Sequence, residues 1–297
     1  MVKADATKAA LPTASSGSST DPLLVASSLV KRYGETVAVN GLNLAVMPGE
    51  IYGLLGPNGS GKSTTLRMLT GILTPTSGTV KVCGHGIQEE PERAKASLGY
   101  VPDEPVLYDK LSALEFLDFV GELYSIPRAI RRARADSLLH TLDLEGRAAD
   151  PIQSYSRGMK QKVSVAAALL HNPRILVMDE PITGLDPIAV RVLKGVLRKM
   201  TRDGAAVLMS THLLEVAEHL CDRIGILVGG VLVAEGTMAQ LASRASQTEI
   251  ASQAGITGMT LEDIFINLAA GEEYKDIIAS LERDEGEPWT SEGAERP

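Results

Sequence analysis

The sequence predicts an α/β fold wound about a parallel sheet, and three observations carry that prediction. Gly56 to Thr64 (GPNGSGKST) follows a short apolar run, Glu50 to Leu55 (EIYGLL), and leads into a helix from Ser63 to Leu69. A second run, Arg174 to Glu180 (RILVMDE), is continuously apolar until two closing acids, as in a strand buried on both faces. After it, helical and strand patterns alternate, which is the signature of a doubly wound core.

The elements follow in order. From Leu23 to Gly53 the β-favouring runs LLVASSLVKRYG and TVAVNGLNLAV are broken by Gly41 and by Pro48 with Gly49. Gly78 to Cys83 (GTVKVC) is another strand. Ser112 and Glu115 form a capping box opening a helix through Tyr124, with Leu114, Leu117, Phe119 and Leu123 for its buried face. A second helix covers Ala129 to Leu142, and a third begins after Arg157 and stops before Pro173, so residues 104–170 form a helical insert. Asp186 and Pro187 supply the N-cap and first residue of a helix ending at Gly204. Ala205 to Ser210 is a strand, Leu213 to Leu220 a helix, and Ile224 to Ala234 a hairpin turning at Gly229 and Gly230. A polar linker, Ser243 to Gly258, then precedes a short helix, Leu261 to Ala269, capped through Thr260 and Asp263. These boundaries predict a disordered tail over 1–22, one domain over 23–242, and an extension over 243–297 whose end is also disordered.

Composition narrows the function. A net charge of −8 with a pI near 5.3 argues against nucleic acid as a partner, because that affinity rests on clustered Lys and Arg. The one basic cluster, Ile130 to Arg134 (IRRAR), reads as a solvated helix face. Cys83 and Cys221 lack metal-ligand spacing and read as small core residues of a reducing compartment. No apolar stretch approaches the ~20 residues needed to span a bilayer.

The chemistry begins at the glycine loop. Gly56, Gly61, Lys62 and Ser63 match G-x-x-x-x-G-K-[ST], in which glycines let backbone N–H groups approach phosphate oxygens and the lysine supplies a point charge. Pro57, Asn58, Gly59, Ser60 and Thr64 complete the cradle, and Ser63 is placed to ligate Mg²⁺. Asp179 ends the buried strand, where an acid can hold Mg²⁺ directly or through water. Glu180 beside it is the candidate general base for an attacking water. His212 follows the next strand and faces the same crevice, within reach of a terminal phosphate.

Taken together, these motifs resemble those of the ATP-binding-cassette ATPases, the nucleotide-binding subunits of membrane transporters. The likeness covers Leu23 to Gly236 in the family's order: Tyr33 to stack on adenine, the phosphate loop, the signature Tyr155 to Met159 (YSRGM), the strand Ile175 to Glu180, the D-loop Gly184 to Asp186, and His212 as the switch histidine. It implies a P-loop NTPase core with a parallel sheet, an N-terminal antiparallel β subdomain and an inserted helical subdomain. ATP and Mg²⁺ are the implied ligands. Two copies would meet head to tail, so that Ser156, Gly158 and Asp186 of one complete the site of the other. A separate transmembrane permease would be the partner, placing the chain peripherally at the cytoplasmic face of the membrane.

Two positions depart from the family pattern. The usual LSGGQ reads YSRGM, keeping Ser156 and Gly158 but losing the glutamine at Met159. The usual glutamine after Tyr-x-Pro is Asp103, which can ligate Mg²⁺ but adds negative charge near Asp179 and Glu180. With the segment Thr260 to Phe265, these features resemble exporters of drugs, lipids or polysaccharides. The alternatives are a cassette ATPase acting on ribosomes, DNA repair or assembly, and a nucleotide-binding regulator without hydrolysis. The single cassette and the absence of a long coiled coil between Lys62 and Ser156 disfavour the first, and Glu180 with His212 disfavours the second.

Overall fold

Continuously apolar strands must be covered on both faces, and the architecture of this chain is the consequence. The computed structural model describes residues 21–245 and 261–269; the expected tails and most of the linker fall outside them. The strands and helices in chain order are β1 (Leu24–Tyr33), β2 (Thr36–Val46), β3 (Ile51–Leu55), α1 (Lys62–Leu69), β4 (Ser77–Val82), β5 (His85–Gly86), α2 (Pro91–Ala96) and β6 (Leu98–Val101). Then come α3 (Ala113–Leu123), α4 (Arg128–Thr141), α5 (Arg157–Leu169), β7 (Ile175–Asp179), α6 (Pro187–Arg202), β8 (Ala206–Thr211) and α7 (Leu214–Leu220). The series closes with β9 (Arg223–Val228), β10 (Val231–Gly236), α8 (Met238–Ala245) and α9 (Leu261–Ala269).

A six-stranded sheet runs β10-β9-β3-β8-β7-β6, parallel from β9 to β6, with β10 antiparallel at one edge. Every residue of β3, β7 and β8 is buried, as their sequences required. The two-residue period of a strand divides them between two cores. Ile51 and Leu55 pack with Leu176, Met178, Val207 and Met209 on one face, while Tyr52 and Leu54 pack with Ile175, Val177 and Leu208 on the other. The second core is closed by α1 and by an antiparallel sheet, β2-β1-β4-β5. Gly41 does not break its strand. It stays inside β2 at φ 67, where two residues of β2 face one of β1 between the pairs Leu29–Leu42 and Lys31–Val39, a β-bulge that a glycine accommodates.

The helical insert is α3, α4 and α5. The capping box at Ser112 forms as expected, with Ser112 Oγ accepting from Glu115 N–H and the Glu115 carboxylate accepting from Ser112 N–H, a device worth about 1 kcal/mol. Its buried face differs from the expected one. Ala113, Phe116, Leu117 and Gly121 point inward, whereas Phe119 and Leu123 are exposed and Leu114 lies between. The basic cluster is also less solvated than its composition suggested. Arg131 is largely buried and grips Asp118 of α3 with two hydrogen bonds, of 2.5 and 3.2 Å, holding that carboxyl below the usual range. Arg134 donates to the Leu170 carbonyl at 3.0 Å, so α4 is tied to both of its neighbours.

Beyond β10 the chain forms α8, which overlaps the start of the expected linker. Thr237 and Gln240 cap it reciprocally: Thr237 N–H donates to Gln240 Oε1 and Gln240 N–H to Thr237 Oγ1, the same box as at Ser112. Leu241, Ala245, Leu261 and Ile264 bury α8 and α9 in the first core. Cys221 is buried, with its thiol pushed up to about 12, whereas Cys83 is only half-buried and does not belong fully to the core.

One half-buried imidazole lies against the helical insert. His171 stacks on Tyr124 with ring centroids 3.9 Å apart, its Nε2 lies 3.1 Å from the Leu98 carbonyl, and its Nδ1 has no partner. Desolvation lowers its pKa from 6.5 to about 4. In the window between those values the unfolded chain binds a proton that the folded chain does not, so stability falls as pH drops, by at most ~1.4 kcal/mol per pH unit. His171→Phe, which keeps the stacking, is expected to flatten that part of the urea-unfolding profile between pH 6.5 and 4.

Candidate active site

The phosphate loop leaves the carboxyl end of β3 and turns into α1. Two glycines permit the path by having no side chain: a Cβ at Gly56 would strike the Leu227 carbonyl and Ser60 Oγ, and one at Gly61, which sits at φ 103, would strike the Ala38 carbonyl. The loop is therefore wedged between the second sheet and β9. Helix α1 begins at Gly61 with no side-chain cap and no acid in its first turn, in contrast to α3, α5 and α6, which Ser112, Ser156 and Asp186 cap. Its first N–H groups thus remain available to an anion, and the helix dipole favours one there. Ser60 Oγ is buried with no partner in the chain. These features fit a bound polyphosphate.

Lys62 is buried, its ammonium donating to the carbonyls of Gly56 at 2.7 Å and Pro57 at 3.2 Å. Burial lowers its pKa, opposed by the nearby carboxylates of Glu180 and Asp179. Glu180 Oε1 lies 3.8 Å from Lys62 Nζ, and Glu180 Oε2 lies 2.9 Å from His212 Nδ1. An ionised carboxylate only accepts, so Nδ1 carries the hydrogen of that bond. The structure thus brings together three residues far apart in the chain. Glu180 adopts φ 46, a left-handed conformation that costs a non-glycine residue of order 1 kcal/mol and that functional sites retain.

Ser210, which the sequence placed at a strand end without a role, positions both acids. Its hydroxyl donates to Asp179 Oδ1 at 2.6 Å and accepts from Glu180 N–H at 3.0 Å. Asp179 is almost completely buried, and it lines with Ser63 and Asp103 an open cavity of about 820 Å³. No cluster of three or more His, Cys, Asp or Glu exists among the described residues. A cation held by a hydroxyl, one or two carboxylates and substrate phosphates, as Mg²⁺ is, needs no such cluster.

The remaining expected residues lie elsewhere. Tyr33 ends β1, half exposed, with Lys31 Nζ 5.3 Å from its ring centre. Asn58 and Gly59 are exposed at the tip of the loop, and Thr64 is half-buried on α1. Ser156 caps α5, accepting from Met159 N–H at 3.3 Å. A Cβ at Gly158 would lie 3.2 Å from the Gly184 carbonyl, so this glycine serves a close approach within its own chain. Asp186 accepts from Ala189 N–H at 2.9 Å and is committed to capping α6. Asp103 forms an ion pair at 3.7 Å with Arg157. Neither Ser156 nor Asp186 hydrogen-bonds to the phosphate loop of its own chain among the described residues.

The ABC transporter family profile matches residues 39–183. The linearmycin resistance ATP-binding protein LnrL of Bacillus subtilis (strain 168) is 40% identical over 222 residues, spanning 75% of this chain and 71% of that protein. The chain belongs to the ABC transporter family of ATP-binding proteins. This ABC ATPase is also 40% identical over 220 residues to the Nod factor export ATP-binding protein I of Ralstonia nicotianae, covering 74% of this chain and 68% of that one. Its fold matches a solved ATP-binding subunit of an ABC transporter with a TM-score of 0.75 at 32% identity, covering 83% of this chain and 99% of that one. A dimeric ATP-binding cassette in a post-hydrolysis state with ADP and Pi matches with a TM-score of 0.67 at 29% identity, over 72% of this chain and 98% of that one. The ABC ATPase is therefore a transporter subunit that binds and hydrolyses ATP.

Removing the Ser210 hydroxyl strands a buried carboxylate oxygen and a backbone N–H. Ser210→Ala is expected to cost about 1–3 kcal/mol in urea unfolding with an unchanged slope. ATP turnover should fall with it, since both acids lose their anchor.

Proposed function

We propose that this ABC ATPase powers export of a substrate through a separate transmembrane permease, working as a pair of copies at the cytoplasmic face of the membrane. The observation that carries the catalytic part is the Glu180 carboxylate held between Lys62 Nζ at 3.8 Å and His212 Nδ1 at 2.9 Å. In this reading Lys62 exchanges the carbonyls of Gly56 and Pro57 for phosphate oxygens, which leaves Glu180 to orient a water and accept its proton. His212 holds the carboxylate in place through its N–H and senses the terminal phosphate. Ser63 and Asp179 would hold Mg²⁺, which would neutralise charge on the phosphates, while Asp103 on the same cavity wall pairs with Arg157. Tyr33 would stack on the base.

Ser156, Gly158 and Asp186 complete this reading from a second copy. Ser156 uses its oxygen to cap α5, so its O–H remains able to donate to a phosphate oxygen of the facing subunit. One surface supports the permease reading. The cavity that Ser63, Asp103 and Asp179 line is also walled by Leu107, Phe116, Val120 and Tyr124, with Val106 82% exposed, an apolar stretch of wall that a helix of a membrane partner would cover. Export as the direction rests on the named function of the Nod factor relative.

Glu180→Gln keeps the shape of the site and removes the base. Its ATP turnover is expected to fall at least about 100-fold while nucleotide binding persists, and ATP should then shift the protein toward the dimer in size-exclusion chromatography. Undiminished turnover would sink the assignment of Glu180. Copurification with ribosomes or DNA in place of a membrane protein would overturn the permease.

A further inference from the structure

Two of the residues that depart from the family pattern, Arg157 and Asp103, face one another. Arg157 stands where the signature normally has glycine, and Asp103 where the preceding loop normally has glutamine; Arg157 Nη2 lies 3.7 Å from Asp103 Oδ1. To reach it, the arginine crosses the D-loop: a Cβ at Gly184 would lie 3.4 Å from Arg157 Cδ and 3.5 Å from its Nε. The side chain, itself part of the signature, therefore lies against two other motif loops at once. Further along the same seam, Lys160 Nζ pairs with Asp109 Oδ1 at 2.8 Å, while Gln153 N–H donates to the Asp109 carbonyl and Ile152 N–H to that of Leu111, each at 2.9 Å. The segment leading from β6 into the helical insert is thus laced to the start of α5, with Asp103–Arg157 as the link nearest the catalytic cavity.

We propose that Arg157 is a positioning residue that ties the Asp103 loop and the D-loop to Ser156, so that movement at the Mg²⁺ side of one site shifts the signature offered to the partner copy. This rests on the reading of the chain as a paired ATPase. A glycine at 157 has no side chain to make the link, and a neutral glutamine at 103 would leave the guanidinium without its charge partner. Both ends are exposed, at 60% and 48%, so the link is weak and salt-sensitive. Such a contact suits a part that must release during each cycle.

The test compares Asp103→Asn, Arg157→Gln and the double variant. Each single change is expected to lower kcat about two- to five-fold at low salt with unchanged ATP affinity, the double should be no worse than either single, and the differences should vanish near about 0.5 M salt. In the nucleotide-free protein, hydrogen exchange should rise in both Pro102–Leu107 and Tyr155–Met159 for either single variant. Effects that multiply in the double, or exchange that rises only around the substituted residue, would overturn the tie. A shift in Mg²⁺ requirement for Asp103→Asn but not Arg157→Gln would overturn it in favour of a metal-ligand role. If the unaltered chain hydrolyses no ATP, the paired-ATPase reading fails, and the exchange data still decide the contact.

Discussion

A single buried hydroxyl holds the catalytic end of this molecule together. Ser210, near the carboxyl end of β8, spends its hydrogen on Asp179, the last residue of β7, and its lone pair on the N–H of Glu180 just beyond it. Burying a carboxylate such as Asp179 requires a hydrogen-bond partner, and turning the chain at Glu180 into a left-handed conformation requires an anchor. Ser210 meets both demands because neighbouring parallel strands end in register, Asp179 opposite Ser210. The position of Glu180, and through it the contacts with Lys62 and His212, depends on that pairing.

The same economy recurs at the phosphate loop. Its shape comes less from what the glycines do than from what surrounds them: the Ala38 carbonyl of β2 at Gly61, and the Leu227 carbonyl of β9 at Gly56. Both sheets of the molecule therefore press on the loop, and the antiparallel sheet is part of the nucleotide cradle. The signature lies apart, on the helical insert. Ser156 and Gly158 contact Met159 and the D-loop of their own chain, not the cluster of Lys62, Glu180 and His212.

Much of this was legible in the amino-acid order. Apolar runs ending in turn residues located β3, β7, β8 and the β9–β10 hairpin to within a residue or so, and side-chain caps located α3 and α6. The misses have definite causes. Phe119 and Leu123 have the helical spacing of a buried face, yet they stand exposed. Arg131 has the composition of a solvated cluster, but the partner that draws it inward, Asp118, lies 13 residues away on another helix. Helix α8 carries in Thr237 and Gln240 the same capping box as Ser112 and Glu115, inside a stretch whose polarity suggests a linker. Gly41 has the look of a break, yet a glycine within a strand can equally mark a bulge.

The sequence by itself determined the chemistry: a lysine and glycines at phosphate spacing, two acids closing a buried strand, and a histidine after the next. These are local patterns, since each depends on neighbours a few residues away. Only the tertiary structure decided how they serve one another. Lys62, Glu180 and His212 converge because their strands are adjacent in the sheet and not in the chain, an arrangement no local pattern encodes. Asp103 and Arg157 likewise lie far apart in the chain, and only the fold sets the ends of their side chains 3.7 Å apart.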